Sequence, residues 1–272
     1  MSHAALSSSD EPILLREDRG GIALLTLNRP DTRNALSASL IETLATTLSA
    51  IGTERNVRAV VLTGSGPAFC AGHDLREMAS RRADPDRGRA FYRQTFDQCA
   101  DMMQSVVNLP QPVIAAVNGA AAAAGCQLAA SCDLVIAADN ASFATPGVNI
   151  GLFCSAPMVA LSRKVAANHA LEMLLTGEPV SAARAHEIGL VNQVCANGDA
   201  VNVAVTMAHK IAAKSSHVQK IGKEAFYHQL TMNLADAYGY TSKVMADNMM
   251  ARDAEEGISA FVEKRTPTWE DR

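Results

Sequence analysis

Pro112-Val113-Ile114-Ala115-Ala116-Val117-Asn118-Gly119 runs into five alanines, Ala120 to Ala124, then Gly125-Cys126-Gln127-Leu128-Ala129-Ala130-Ser131 and Asp133-Leu134-Val135-Ile136-Ala137-Ala138. The β-branched run 112–118 reads as a buried strand, 120–131 as an Ala-rich helix and 133–138 as a second strand. A helix whose start carries almost no side chains leaves its first N–H groups open to a ligand at the positive end of the helix dipole. The same alanines would equally serve close helix packing.

The pattern repeats on either side. Gly21–Asn28 (GIALLTLN) is an apolar strand ended by Pro30, which restricts Arg29. Ser37 can cap a helix in which Leu40, Ile41, Leu44 and Leu48 recur at helical spacing to about Ile51. Val57–Thr63 (VRAVVLT) is a strand that breaks at Gly64-Ser65-Gly66-Pro67. The loop Pro67–Leu75 follows, in which Gly72 allows a tight turn; it is either a plain strand exit or a place where backbone N–H groups face a ligand. Arg76 to Arg89 is a charged surface stretch, and a helix spans about 90–107. Short strands alternating with helices through Gly/Pro loops indicate a mixed α/β fold.

From about residue 200 the strand signals stop. Helical periodicity runs through 203–214, 218–230, 234–250 and 254–264, with Met207, Met232, Met245, Met249 and Met250 serving either as core filling or as a subunit interface. The chain thus divides into a polar tail 1–12, a core 13–200 and a helical region 201–272.

A net charge of −4 with 19% charged residues, and no long block of one sign, supplies no footprint for nucleic acid or an anionic membrane. The opening MSHAALSSSDEP lacks a basic segment followed by an apolar one, and no apolar run reaches the roughly 20 residues of a membrane span. Six dispersed cysteines, none in C-x-x-C spacing, suit reduced thiols, and the seven histidines do not join them at zinc-ligand spacing. The expectation is a soluble cytoplasmic protein with no metal and no cofactor.

The motifs together resemble the enoyl-CoA hydratase/isomerase (crotonase) family over roughly Ile13 to Arg265: Arg33-Asn34-Ala35-Leu36, Ala71-Gly72-His73-Asp74-Leu75, Ala124-Gly125-Cys126-Gln127, Ala144-Thr145-Pro146-Gly147 and Phe261-Val262-Glu263-Lys264-Arg265. The resemblance implies a spiral of repeated ββα units, a C-terminal helical region that makes trimers or hexamers, and a coenzyme A thioester as substrate or ligand. It places the carbonyl-binding N–H groups, an oxyanion hole for the enolate, at His73 and Ala124, where Ala124 replaces a common glycine. Ala35, Ala71, Asp74, Cys154 and Ser155 fall at substrate-binding positions, and Arg76, Lys264 and Arg265 are candidates for the coenzyme A phosphates.

One feature departs from the family. Its hydratases carry glutamates at the positions of Gln127 and Gly147, so ordinary hydration is expected to be crippled, as is isomerisation that relies on the second carboxylate. The chain is then either an enzyme that acts through its oxyanion hole or a non-catalytic acyl-CoA-binding protein. His73 is the first suspect for a replacement base, while Cys154 lacks a neighbouring cation that would make it a nucleophile. A likeness to naphthoate synthases at Gly147 implies room there for a water or a small anion such as bicarbonate.

Overall fold

A computed structural model of the chain describes residues 11–272; the expected tail 1–12 lies almost wholly outside them. In chain order the elements are β1 (Leu14–Arg19), β2 (Ile22–Leu27), α1 (Ala38–Ile51), β3 (Ala59–Gly64), β4 (Ala68–Cys70), α2 (Leu75–Ser80), α3 (Arg89–Asn108), β5 (Val113–Val117), β6 (Ala120–Ala122), α4 (Ala124–Ser131), β7 (Leu134–Ala138) and β8 (Ser142–Ala144). They continue with α5 (Pro157–Leu161), α6 (Ala167–Thr176), β9 (Val180–Ser181), α7 (Ala182–Glu187), β10 (Gln193–Cys195), α8 (Ala200–Ala212), α9 (Ser216–Gln229), α10 (Leu234–Met249) and α11 (Arg252–Glu263).

Each turn of the core lays one strand in a large sheet, the next in a small sheet, and then a helix. The large sheet runs β1-β2-β3-β5-β7-β10 and the small one β4-β6-β8-β9; within them only β1·β2 and β8·β9 are antiparallel. This is the ββα spiral that the resemblance implies. The central strands β3 and β5 are buried along their whole length, which is why they read as continuous apolar runs and not as alternating ones. Strand β1 is the exposed edge, and its Arg16, Glu17, Asp18 and Arg19 guard it against further pairing.

The two faces of the large sheet fill two cores. Val60, Leu62, Val113, Ala115 and Val135 pack with Leu40, Leu44 and Leu48 of α1 and with Met102 and Val106 of α3. On the other face Val61, Ile114, Ala116 and Ile136 pack against Ala200, Ala204 and Ala208 of α8. The division expected at residue 200 therefore falls at the start of a helix that is part of the sheet packing, and the helices beyond the sheet are α9 to α11.

The sequence expectation of one helix over 120–131 needs a second correction. Ala120–Ala122 form β6, paired with β4 on one side and β8 on the other, and the helix starts at Ala124. Alanine favours helix locally, but the backbone partners supplied by two neighbouring turns outweigh that preference. The charged stretch after Asp74 likewise contains α2 and a 3-10 turn, Arg81–Ala83.

Helix α9 is tied to the core by a buried polar cluster. Lys223 Nζ lies 2.7 Å from Asp133 Oδ2 and donates to the carbonyls of Gln111 and Val106 at 3.1 and 3.3 Å. Asp133 also accepts from Val113 N at 2.6 Å and from the Tyr227 hydroxyl at 2.9 Å. Burial pulls the Lys223 ammonium down from the ordinary lysine range against the opposing pull of Asp133. Lys223→Ala should therefore cost roughly 3–5 kcal/mol by leaving a buried carboxylate without its cation. Chemical denaturation checks this, and the Lys223→Ala/Asp133→Asn pair should recover part of the loss; a single variant within about 0.5 kcal/mol of the parent would show the cluster to be unimportant.

Candidate functional site

The three exits from the small-sheet strands stack in one place. After β4 come Ala71 to Asp74, after β6 come Ala123 and Ala124, and after β8 come Thr145 to Gly147. A Cβ built on Gly72 would lie 2.9 Å from Ala123 Cβ, 3.0 Å from Ala122 O and 3.2 Å from Ala124 N, so the first exit presses directly on the second. The third is joined to the second by the bond from Ala123 N to Ala144 O at 2.9 Å.

The segment 33–36 brackets the first exit. Ala71 N donates to Arg33 O at 3.0 Å, Leu36 N to Gly72 O at 2.7 Å and Asp74 N to Leu36 O at 3.0 Å. Arg29 clamps both pieces, donating to Ala35 O at 2.6 Å and pairing with Asp74 at 3.0 Å. The Asp74 side chain also caps α2 by accepting from Arg76 N and Glu77 N, and these partners hold its carboxyl below the usual range against the cost of burial. Asp74 thereby fixes the loop, its carboxyl accepting from the Arg29 guanidinium and from two N–H groups at the start of α2.

With Ala35, Ala71, His73 and Ala124 thus gathered, two backbone donors remain unspent. Neither His73 N nor Ala124 N donates to a backbone acceptor among the described residues. Ala124 is the first residue of α4, where the helix has no internal acceptor for its N–H. Two free donors on touching backbone segments can bind one carbonyl oxygen.

Around them the side chains of Gln127 and Thr145 carry no charge, and nor does that of His73. The His73 ring packs edge-on against Phe96 with centroids 5.2 Å apart, and burial lowers its pKa to about 4, so it is uncharged and a weak base at neutral pH. Its Nδ1 is buried with no hydrogen-bond partner, as are Gln127 Oε1 and Thr145 Oγ1. Gln127 is only 5% exposed and Thr145 0%. Thr145 escaped the sequence reading; the available signal was a hydroxyl residue directly between the Phe143-Ala144 strand and Pro146.

The environment of Gly147 overturns the expectation of room for a water or bicarbonate. A Cβ there would sit 2.4 Å from Leu152 O and 2.9 Å from Cys154 Sγ, so the side-chain direction is already filled. Burial pushes the Cys154 thiol up, opposed by the Gly147 N–H, and the buried Cys126 thiol rises to about 12. Both stay protonated and inert near neutrality. Ser155 is exposed and its hydroxyl turns back to Phe153 O at 3.4 Å.

The phosphate candidates are not drawn together. Arg76 is exposed on α2 close to the exits, whereas Lys264 caps α11 and Arg265 is held by Glu256 at 2.6 Å and Glu263 at 2.6 Å. Among the described residues no three His, Cys, Asp or Glu side chains form a group fit to hold a metal.

Two substitutions test this packing. Ala123 adopts φ 49° and ψ −117°, a conformation that suits glycine and costs an alanine roughly 1–3 kcal/mol. Ala123→Gly should raise the melting temperature by a few degrees, since the added freedom of the unfolded chain opposes the gain by only about 0.4–1 kcal/mol; a lower melting temperature would refute the strain. Gly147→Ala should destabilise by roughly 1–3 kcal/mol through overpacking against Leu152, read by denaturant titration. A neutral result would mean that the 147–154 loop yields freely.

Residues 17–272 match the model of the enoyl-CoA hydratase/isomerase family. The human enoyl-CoA hydratase domain-containing protein 3, mitochondrial, is 45% identical over 249 residues, covering 92% of this chain and 80% of its own. A probable enoyl-CoA hydratase of Rhizobium meliloti is 35% identical, covering 95% and 98%. Among solved structures, an enoyl-CoA hydratase of Mycobacterium smegmatis superposes with a TM-score of 0.90 at 48% identity, covering 95% of this chain and 99% of that one. The crystal structure of the human domain-containing protein 3 gives 0.90 at 42% identity, covering 95% and 100%. The chain belongs to the enoyl-CoA hydratase/isomerase family.

Proposed function

We propose that the chain binds a coenzyme A thioester with its carbonyl oxygen between the N–H groups of His73 and Ala124, an oxyanion hole that stabilises an enolate. The observation that carries this reading is the pair of unspent donors on two backbone segments in van der Waals contact. Ala35, Ala71 and Cys154 line the acyl end, Asp74 fixes the loop, Ser155 lies at its rim, and Arg76 meets the coenzyme A phosphates.

Gln127 and Gly147 stand where the family's hydratases have glutamates. Gln127 hydrogen-bonds but does not exchange a proton at neutral pH, and Gly147 has no side chain. A positioned acid or base contributes roughly 10²–10⁴ in rate, so hydration without either carboxylate falls far behind that of a complete hydratase. Non-catalytic acyl-CoA binding is the second reading, favoured by the neutral state of His73, Cys126 and Cys154.

The helical region would complete the assembly. Leu234, Tyr238, Met245 and Met250 of the α10 segment and Phe261 and Val262 of α11 are exposed apolar side chains that a homotrimer or hexamer would bury, and Lys264 would then reach a neighbouring subunit's ligand. No helix of the described residues is long and apolar enough to cross a membrane. A cytoplasmic location belongs to the same reading, on the six free cysteines; several relatives carry "mitochondrial" in their names, and cell fractionation decides between the two.

Calorimetry with acetyl-CoA should show saturable binding, and crotonyl-CoA should not be hydrated above background. Absence of binding at millimolar ligand would refute the oxyanion-hole reading, and robust hydration would refute the role given to positions 127 and 147. Gln127→Glu combined with Gly147→Glu should fail to install hydration, because the second side chain has no room beside Leu152.

A further inference from the structure

Up to residue 209 the basic side chains of this chain are arginines and histidines, with Lys164 the one lysine among them; the other six lysines follow from Lys210 on. Lys210, Lys214, Lys220, Lys243 and Lys264 are exposed. Lys164 and Lys223 instead converge on Asp133, beyond the end of α4 that lies away from the exits. One carboxylate there faces two ammonium groups, and Lys223 takes it. Asp133 Oδ2 accepts from Lys223 Nζ and Val113 N, and Oδ1 accepts from the Tyr227 hydroxyl. Lys164 Nζ is left with the main-chain oxygen of Asp133 at 3.1 Å and forms no ion pair among the described residues. A desolvated ammonium with one neutral acceptor is a poorly held charge. Burial lowers the Lys164 pKa from the ordinary lysine range and the Lys223 ammonium lowers it too, against the opposing pull of Cys132 and Asp133. Lys164 is half-buried and still open to a reagent, whereas the Lys223 side chain is 9% exposed and held by its ion pair.

We propose that Lys164 is a site of self-acylation, its free amine taking the acyl group of an acyl-CoA thioester that arrives from solution. The uncharged Nζ attacks the thioester carbonyl carbon and forms the N–C bond. The C–S bond then breaks, coenzyme A leaves as its thiolate, and the proton released from nitrogen neutralises that thiolate. The products are an Nζ-acyl-lysine and free coenzyme A, with no oxidant, metal or further reactant in the balance. The new amide keeps one N–H, enough for the Asp133 oxygen, and removes the surplus positive charge beside Lys223, so the cluster is left with one cation on one carboxylate. The exposed lysines lack this bias because water holds their ammonium charge. The donor belongs to the ligand class proposed above, but the step needs no thioester at the exits and does not depend on the oxyanion hole.

The test incubates the full-length protein with acetyl-CoA carrying an isotopically labelled acetyl group and follows each lysine by peptide mass spectrometry from neutral to alkaline pH. At neutral pH Lys164 should be acetylated about fivefold or more faster than the mean of the five exposed lysines, since the fraction of free amine sets the rate. Its rate should level off at a lower pH than theirs, because a lowered pKa frees the amine sooner as pH rises. In urea sufficient to unfold the chain the excess should vanish, since burial and the neighbouring Lys223 produce it. Lys164→Arg, which keeps a donor for the Asp133 oxygen, should lose the fast phase of total acetylation. A Lys164 rate at or below that of the exposed lysines, a pH profile shared with them, or an excess that survives unfolding would overturn the proposal. Calorimetry with acetyl-CoA reads thioester binding at the exits separately, so failure of either result leaves the other standing.

Discussion

The structure depends on how closely successive turns of the spiral stack where the small-sheet strands end. There backbone touches backbone: a Cβ on Gly125 would lie 2.0 Å from Cys70 O, which is impossible, so glycine is the residue that lets α4 sit on β4. That contact brings the start of α4 against the loop after β4. The Ala123 N to Ala144 O bond then adds the third exit. Each turn contributes a few atoms, and the stacking turns them into one site.

This construction explains why the site is electrically quiet. Side chains that enter so tight a junction must be small or fully packed, and the ionisable ones lose their charge or find partners. His73 is pressed against Phe96 and stays neutral; Asp74 is consumed by Arg29 and by the α2 cap. The Leu152 carbonyl and the Cys154 thiol close the side-chain direction at Gly147. The 147–154 loop thus occupies the ground where a longer side chain at position 147 would stand.

Polar contacts fasten the C-terminal helices at two places. Lys223 and Tyr227 of α9 converge on Asp133 at the start of β7, so the helix is fastened to the same turn that carries the third exit. At the end of the chain buried Asp253 accepts from Glu270 N and Asp271 N at 2.7 and 2.9 Å, and Asp271 in turn pairs with Arg58 at 2.8 Å. Leu234, Tyr238, Met245 and Met249 of α10 and Ile258, Phe261 and Val262 of α11 face outward.

Runs 21–28, 57–63, 112–118 and 133–138 were legible as strands because they are buried on both faces and so must be apolar throughout, and the four C-terminal helices were legible from their spacing. Resemblance of motifs singled out His73, Ala124, Gln127 and Gly147 in the sequence. Strands β4, β6 and β8 were not legible, because three residues hold too little periodicity and alanines 120–122 prefer helix until two neighbouring strands offer them hydrogen bonds. The filled space at Gly147, the neutral burial of His73 and the orphaned hydroxyl of Thr145 belong to the same class: each is set by atoms distant in sequence from the residue concerned. The sequence by itself determined the apolar pattern, the caps and the small residues that permit close approach, all of which act over a few neighbours. The tertiary structure alone decided which backbone donors stay unspent and which polar atoms lose water, because both depend on contacts between turns that the chain brings together only when it is wound.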